Sequence, residues 1–159
     1  PWKGVQMSDE YRLISIPDTR FYHCNIKTLN LIPNVMAAQQ ASEAGCNETV
    51  FVRDGYVTEC SHSNISMVKD GVFITHPLDN LILPGTERKH IIRWCGELGI
   101  PVKERAFTLE ELYTADEILV TSTSHPSMRA MELNQKAVGM KNPELIQKLR
   151  DKYLNEIGK

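Results

Sequence analysis

The spacing of apolar residues along the chain changes several times, and each change predicts a new element. Residues 11–27 hold short apolar and β-branched stretches with a break at Pro17, which favours strands leading up to Lys27. From Asn34, an alanine-rich run that stops at Gly45 predicts a helix of about three turns. The first quarter of the chain is therefore expected to pass from strands into a helix.

Two Asp-Gly pairs follow, each between runs rich in β-forming residues. Asp54-Gly55 separates residues 49–52 from 56–58, and Asp70-Gly71 separates residues 64–68 from 72–75. Asp-Gly between such runs is the strongest short-range signal for a β-hairpin. The sequence therefore predicts two consecutive hairpins.

The second half of the chain alternates between helical and extended patterns. Apolar residues recur at helical spacing over residues 91–98, residues 102–107 favour a strand, and Thr108 opens a capping box of a short helix. Residues 117–120 favour another strand, and residues from Asn142 onward favour a closing amphipathic helix with a proline in its first turn. His125 and Arg129 lie between them, and they are interpreted as surface residues beside a proline turn or, alternatively, as contacts for a substrate carboxylate.

Composition narrows the class of protein. The chain has 159 residues, 42% of them hydrophobic and 24% charged, which is typical of one globular domain. The net charge is -2 with basic and acidic residues intermixed, so a nucleic-acid partner is not expected. No apolar run approaches the roughly 20 residues of a membrane-spanning helix. The start at Pro1 lacks the layout of a signal peptide, and we expect the chain to begin inside a longer one.

The cysteines and histidines give no reason to expect a metal. Four cysteines lie far apart without a C-x-x-C pair, and the histidines lack metal-ligand spacing. Free thiols in a reducing cytoplasm are the expected state of the cysteines. No metal site is predicted.

Four short segments carry groups that could take part in chemistry. Lys27 lies in an otherwise neutral and largely apolar stretch, where loss of hydration favours the nucleophilic neutral amine. Glu59 is followed by hydroxyls and amides, and a carboxylate of this kind can keep a pyridine nitrogen protonated. Taken singly, each also fits a plain interpretation, a surface lysine and a solvated turn residue.

The other two segments suggest an anion site. Residues 83–88 place a glycine turn at the start of a helix, where free N–H groups and the helix dipole favour an anion. Residues 121–124 are four consecutive hydroxyl side chains after a strand, able to donate to phosphate oxygens. Helix starts and serine-rich loops are common, so these segments gain meaning only together with the others.

Their joint order and spacing resembles that of the class IV, or fold-type IV, aminotransferases that depend on pyridoxal 5'-phosphate. The matching segments are NIKTLNL at 25–31, TECSHSN at 58–64, KDG at 69–71, THP at 75–77 and NLILPGTER at 80–88. The branch most similar is that of the D-amino acid aminotransferases. The resemblance implies an α/β (α+β) fold, namely the C-terminal pseudo-barrel domain of these enzymes, spanning residues 1–159 without the family's N-terminal domain.

The resemblance also implies roles for residues. Lys27 would form the Schiff base with pyridoxal 5'-phosphate and move the proton during transamination between an amino acid, such as D-alanine, and a 2-oxo acid. Further cofactor contacts would come from Arg20, Glu59, Leu83, Gly85, Thr86, Glu87, Ser122 and Thr123. Ser124 and His125 would be weaker candidates for substrate contacts. A cytoplasmic homodimer is implied as well.

Several positions depart from the family pattern. Asn25 stands where aspartate is usual, and Cys60 where glycine is usual. Glu87 stands beside the expected phosphate, which its side chain would repel unless it points away. A branched-chain aminotransferase or an aminodeoxychorismate lyase of the same fold remains an alternative, and so does a non-catalytic binding domain.

Overall fold

A computed structural model describes residues 6–157, and in this range the chain forms nine strands and four helices. In chain order they are β1 (Met7–Pro17), α1 (Ile32–Glu43), β2 (Glu48–Arg53), β3 (Tyr56–Cys60), β4 (Asn64–Lys69), β5 (Val72–Thr75), α2 (Thr86–Glu97), β6 (Val102–Glu104), α3 (Leu109–Thr114), β7 (Glu117–Thr121), β8 (Ser127–Leu133), β9 (Lys136–Ala137) and α4 (Pro143–Glu156).

The nine strands of this range form one mixed sheet with the order β3-β2-β1-β8-β7-β4-β5-β6, and β9 pairs with β8. β3 and β4 stand five steps apart in that order, yet only residues 61–63 join them. In a flat sheet the two strands would lie about 24 Å apart, whereas the connection can reach only about 14 Å. The sheet therefore has to curl into a half-barrel, as the family resemblance implied.

Side chains on the two faces of the sheet form two cores. On β7, Ile118 and Val120 belong to the core inside the curled sheet, whereas Leu119 belongs to the core under α2 and α4. β5 divides in the same way, with Ile74 inside and Phe73 outside. This alternation follows from the two-residue period of a strand, and it explains why the three central residues of β7 are all apolar: both of its faces are covered.

The predicted helix signals are confirmed at several ends. The Asn142 side chain accepts a hydrogen bond from the Leu145 amide at 3.2 Å and so caps α4. Thr108 and Glu111 form the reciprocal capping box at the start of α3. α1 begins at Ile32, two residues earlier than predicted, because the first turn tolerates Pro33.

Both hairpin predictions are also confirmed. Asp54 and Gly55 have φ values of 52° and 84°, and Asp70 and Gly71 have 49° and 75°. A two-residue turn with positive φ at both central residues has a twist that matches the twist of the paired strands. Each Asp-Gly pair therefore fixes the register of the strands it joins.

The strand prediction before Lys27 is partly wrong. β1 ends at Pro17, and residues 18–31 form an irregular connection that includes Phe21 and Tyr22, so Lys27 does not follow a strand directly. The strand predicted over residues 102–107 is also shorter, ending at Glu104. Beyond Glu104 the chain keeps only single backbone hydrogen bonds to the sheet, from the Arg105 amide to the Thr75 carbonyl and from the Val57 amide to the Phe107 carbonyl.

The interpretation of Arg129 as a surface residue is wrong. It lies on β8, a strand that the sequence did not indicate and that pairs with both β1 and β7 in the middle of the sheet. Arg129 is only 4% exposed, and its Nε and Nη2 donate to Glu117 at 3.0 and 2.7 Å. An ion pair stands here where an apolar contact would be expected. The pattern of apolar residues therefore did not predict the strand.

Two further features of the described residues bear on the class of protein. None of their helices has the length and apolar character needed to cross a bilayer. The four cysteines are free, with Cys24, Cys60 and Cys95 buried and Cys46 half-buried.

We expect Arg129→Ala to lower the free energy of unfolding by about 3–5 kcal/mol, since it leaves Glu117 as a buried charge without its cation. Arg93→Ala is the matched control, because Arg93 pairs with Glu97 and Glu156 on the exposed helix surface, where ion pairs contribute little. Urea unfolding followed by circular dichroism measures both variants. Equal midpoints for the two would contradict a structural role for the buried pair.

Candidate functional site

A cleft of about 1030 Å³ opens at one end of the half-barrel. Its walls come from the connection 18–31, the start of α1, the β3–β4 connection, the start of α2 and the end of β7. Nine residues singled out from the sequence line it, namely Arg20, Lys27, Glu59, Leu83, Gly85, Thr86, Glu87, Ser122 and Thr123. Residues that lie up to a hundred positions apart in the chain therefore meet around one space.

Ser124 and His125, the weaker substrate candidates, are not among the lining residues of this cleft. His125 lines a separate cavity of about 560 Å³, which Tyr11 and Asn47 also line. The Ser124 hydroxyl lies 2.9 Å from His125 Nδ1. The structure thus separates these two residues from the nine others.

Glu59, near the end of β3, is 6% exposed and held from both oxygens. Its Oε1 accepts a hydrogen bond from Arg20 Nη1, and its Oε2 accepts from the Leu83 amide at 2.9 Å and Asn64 Nδ2 at 3.1 Å. Burial raises the pKa of Glu59 to about 7, against the opposing effect of the Arg20 charge and the Leu83 amide. The carboxyl group is fixed in position and has a high proton affinity.

Arg20 stands behind Glu59 and connects three segments. It pairs with Asp18 through Nε at 2.9 Å and Nη2 at 2.8 Å, and Nη2 also donates to the Leu81 carbonyl at 3.1 Å. Its guanidinium lies 4.3 Å from the centre of the Phe51 ring. Because these partners occupy its donors, Arg20 acts on the cleft through the position of Glu59.

The start of α2 offers an anion-binding arrangement. Gly85 is the N-cap residue with φ -65° and ψ 140°, so the amides of Thr86 and Glu87 fall in the first turn, where an α-helix supplies no acceptor. A Cβ on Gly85 would lie 2.0 Å from Asn64 Oδ1, which shows how closely the turn packs against the Glu59 network. After β7, the buried Ser122 hydroxyl has no partner within the described residues. Free donors are therefore present on two of the segments that line the cleft.

Glu87 is buried instead of pointing into solvent, with 6% exposure. Its Oε2 finds no hydrogen-bond partner in residues 6–157, and burial raises its pKa. A raised pKa favours the neutral carboxyl group, which reduces the repulsion expected between Glu87 and a bound anion. Glu87, which departs from the family pattern, is therefore expected to disfavour anion binding less than the sequence indicated.

Lys27 lies in the connection 18–31 and is exposed, so the described residues do not enclose it in the apolar surroundings expected from its neighbours. Ile26 and Leu29, which suggested those surroundings, are themselves 55% and 96% exposed. The lysine nevertheless lies on the cleft wall, together with Glu59 and the α2 start.

Sequence reasoning missed two residues of the site. The sequence patterns assign no role to Asp18, although its carboxylate accepts hydrogen bonds from Arg20 and from Thr58 Oγ1. Asn64 lay inside a matching motif without a role, and its Nδ2 joins Glu59 to the Leu83 carbonyl. For Asp18 the sequence offers one signal, an acidic residue two positions before an arginine. For Asn64 it offers no comparable signal.

Comparison with known proteins finds relatives over nearly the whole chain. The chain is 42% identical over 147 residues to a D-alanine aminotransferase of Listeria monocytogenes serotype 4b, covering 91% of this chain and 50% of that protein. A D-alanine aminotransferase of Bacillus licheniformis is 37% identical over 151 residues, covering 92% and 53%. The chain thus spans about half the length of these curated relatives.

Solved structures give the same picture of the fold. A putative 4-amino-4-deoxychorismate lyase from Legionella pneumophila superposes with a TM-score of 0.86 at 25% identity, over 96% of this chain and 57% of that one. A branched-chain amino acid aminotransferase from Thermobaculum terrenum in its PLP form superposes with a TM-score of 0.80 at 25% identity, over 89% and 49%. The model of the family described as "Amino-transferase class IV" matches residues 5–133, and the chain belongs to that family.

Proposed function

We propose that this chain is the cofactor-bearing half of an aminotransferase that moves an amino group between a D-amino acid, such as D-alanine, and a 2-oxo acid with pyridoxal 5'-phosphate. The observation that carries the proposal is the fixed Glu59 carboxyl group, which shares one cleft with Lys27 and with the free donors at the α2 start. The D-alanine aminotransferases at 42% and 37% identity support the D-amino acid over the branched-chain alternative, whose example is 25% identical.

The chemical groups of the cleft residues support this choice of cofactor. The Thr86 and Glu87 amides with the Ser122 and Thr123 hydroxyls would hold its phosphate, since Ser122 Oγ otherwise lacks a partner within the described residues. Glu59 would bind the pyridine nitrogen. The half-buried Leu83 would contact a face of the ring.

When bound, pyridoxal 5'-phosphate supplies an electron sink for the bond that breaks at the substrate Cα. Lys27 Nζ would hold the cofactor through its aldehyde carbon and, once released by the incoming amine, would carry the proton taken from Cα. Glu59, whose position is fixed by three donors, would favour a protonated ring nitrogen through the negative charge of its carboxylate.

The assembly and the location also belong to the proposal. Exposed apolar side chains next to the cleft support a covering partner, which we take to be a second copy in a homodimer; they are Leu29, Leu31, Ile32, Val35 and Met36. Four free cysteines support a reducing compartment such as the cytoplasm. A deoxychorismate lyase remains the second candidate, because the Legionella structure superposes with a TM-score of 0.86.

We expect borohydride reduction in the presence of pyridoxal 5'-phosphate to leave a phosphopyridoxyl group on the Lys27 peptide. Lys27→Ala should abolish that adduct, since none of the other described residues that line the cleft carries an amine. Peptide mass mapping locates the modification, and absorbance above 400 nm follows its formation before reduction.

Lys148→Ala is the matched control, because Lys148 is exposed on α4, away from the cleft. It should retain the adduct on Lys27. Protein that stays colourless and unmodified would instead favour the non-catalytic binding domain, and a D-alanine-independent release of pyruvate from aminodeoxychorismate would favour the lyase.

Gly85→Ala should weaken binding of pyridoxal 5'-phosphate and lower the free energy of unfolding by about 1–3 kcal/mol. The new methyl group would displace Asn64, which then loses its hydrogen bonds to Glu59 and to the Leu83 carbonyl. Gly96→Ala in α2 is the control, since a Cβ there meets nothing within 4 Å and alanine favours a helix. Absorbance titration and urea unfolding measure the two effects, and a Gly85→Ala variant as stable as Gly96→Ala would contradict the close packing.

A further inference from the structure

Glu48 is a fully buried carboxylate for which the proposed mechanism has no use. It begins β2 and is 0% exposed. Its Oε1 accepts from the Ser61 hydroxyl, from the Ser61 amide at 3.2 Å and from the Thr49 amide at 3.1 Å, while Oε2 accepts from Ser63 Oγ at 3.1 Å. Most of these donors come from the three-residue connection between β3 and β4, so Glu48 holds that connection in place.

The cation that balances Glu48 is His62. Its Nδ1 lies 3.0 Å from Glu48 Oε2, and within the part of the chain that the structure describes no other basic side chain pairs with this carboxylate. A carboxylate at this distance makes Nδ1 the nitrogen that carries hydrogen. The imidazole therefore turns its other nitrogen, Nε2, away from Glu48.

His62 is available to a ligand. Its side chain is 54% exposed although Glu48 below it is buried, and it lines the same cleft as Lys27, Glu59 and Ser122. The hydrogen bond to Glu48 raises the pKa of His62, so a larger fraction of it is imidazolium near neutral pH than for a free histidine. The cleft thus carries a basic side chain whose orientation is fixed from behind and whose protonated form is favoured by Glu48.

Two residues that carry hydroxyl donors, Ser122 and Thr123, line the same cleft as His62. Ser122 and Thr123 lie at the end of β7, where the Ser122 amide donates to the His125 carbonyl at 2.8 Å and the His125 amide donates back at 3.1 Å. Burial and the charge of His62 lower the pKa of His125, which favours a neutral ring there. A cation and free hydroxyls on neighbouring segments are a setting for oxyanion binding.

We propose that His62, held by Glu48, binds an anionic oxygen group of the cleft ligand through Nε2. Resting on the proposed function, this group is either the side-chain carboxylate of an acidic amino or 2-oxo acid or the phosphate of the cofactor. Either group presents anionic oxygens that can accept a hydrogen bond from Nε2 of the protonated His62. His62 is then a specificity-determining residue of the cleft, outside the nine residues assigned above.

The contact depends on pH with a definite sign. It is present while His62 is protonated and is lost as the pH rises through its raised pKa. Besides Glu48 on β2, the titratable groups around the Glu48–His62 pair are His125 after β7, Tyr11 on β1 and Cys60 on β3. Burial and the Glu48 charge raise the pKa of Tyr11 to about 12 and that of Cys60 well above its usual range, so both stay neutral while His62 titrates.

The test compares His62→Gln with the wild-type chain. Glutamine can still donate to Glu48 but carries no charge, and His23→Gln is the matched control, since His23 is exposed and not among the residues lining the cleft. Dissociation constants are measured for pyridoxal 5'-phosphate and pyridoxal by absorbance, and for inorganic phosphate, glutarate and butyrate by isothermal titration calorimetry.

We expect His62→Gln to weaken binding of one anion roughly fivefold to tenfold at pH 6.5 and to have less effect at pH 9. If the variant binds pyridoxal 5'-phosphate and inorganic phosphate more weakly but pyridoxal equally well, the group is the cofactor phosphate. If it binds glutarate more weakly but butyrate and the cofactor equally well, the group is a substrate side-chain carboxylate.

Equal affinities for all five ligands in His62→Gln and His23→Gln would overturn the proposal. The borohydride adduct on Lys27 distinguishes this failure from failure of the proposed function. An adduct that forms equally in His62→Gln leaves the cofactor site standing, whether or not His62 binds an anion.

Discussion

The structure depends on the shortness of the connection between β3 and β4. Three residues have to join strands that are five steps apart in the sheet, and the sheet can satisfy them only by curling. Curling encloses one core inside the sheet and leaves the other under α2 and α4. It also brings Glu59, His62 and Asn64 to one rim, so the same constraint produces both the half-barrel and the cleft.

The rim is held by charges taken out of water. Asp18, Arg20 and Glu59 are joined by ion pairs, and Glu48 is surrounded by hydroxyl and amide donors. Burying a carboxylate costs several kcal/mol unless partners replace its hydration. Each of these groups has such partners, and their directional hydrogen bonds fix side chains that point toward the cleft. The stability lost by burying charge is thus linked to the precision with which the site is built.

Local sequence signals predicted the parts of the fold that local physics determines. The Asp-Gly turns need only two residues with positive φ, and the ends of α3 and α4 need only the side chains of Thr108 and Asn142. β8 could not be found in this way, because Arg129 interrupts its apolar pattern and its partner Glu117 lies twelve residues earlier. The distant pairing of β8 with β1 lies beyond any local window as well.

The candidate site shows the same division. The residues that the family motifs carry do line one cleft, because the motifs record positions that the fold brings together. The motifs did not indicate what supports those residues. Asp18 acts behind Arg20 from outside the matching segments, and Glu48 supports His62 from a different strand, β2.

His62 illustrates why such support matters for chemistry. On an exposed connection a histidine would sample several rotamers and titrate as it does in a free peptide. Here a buried carboxylate restrains Nδ1, so the ring has one favoured orientation and a greater tendency to stay protonated. A binding residue gains affinity when its orientation is fixed before the ligand arrives, since less conformational entropy is then lost. The buried Glu48 would therefore influence which anions the cleft accepts without touching any of them.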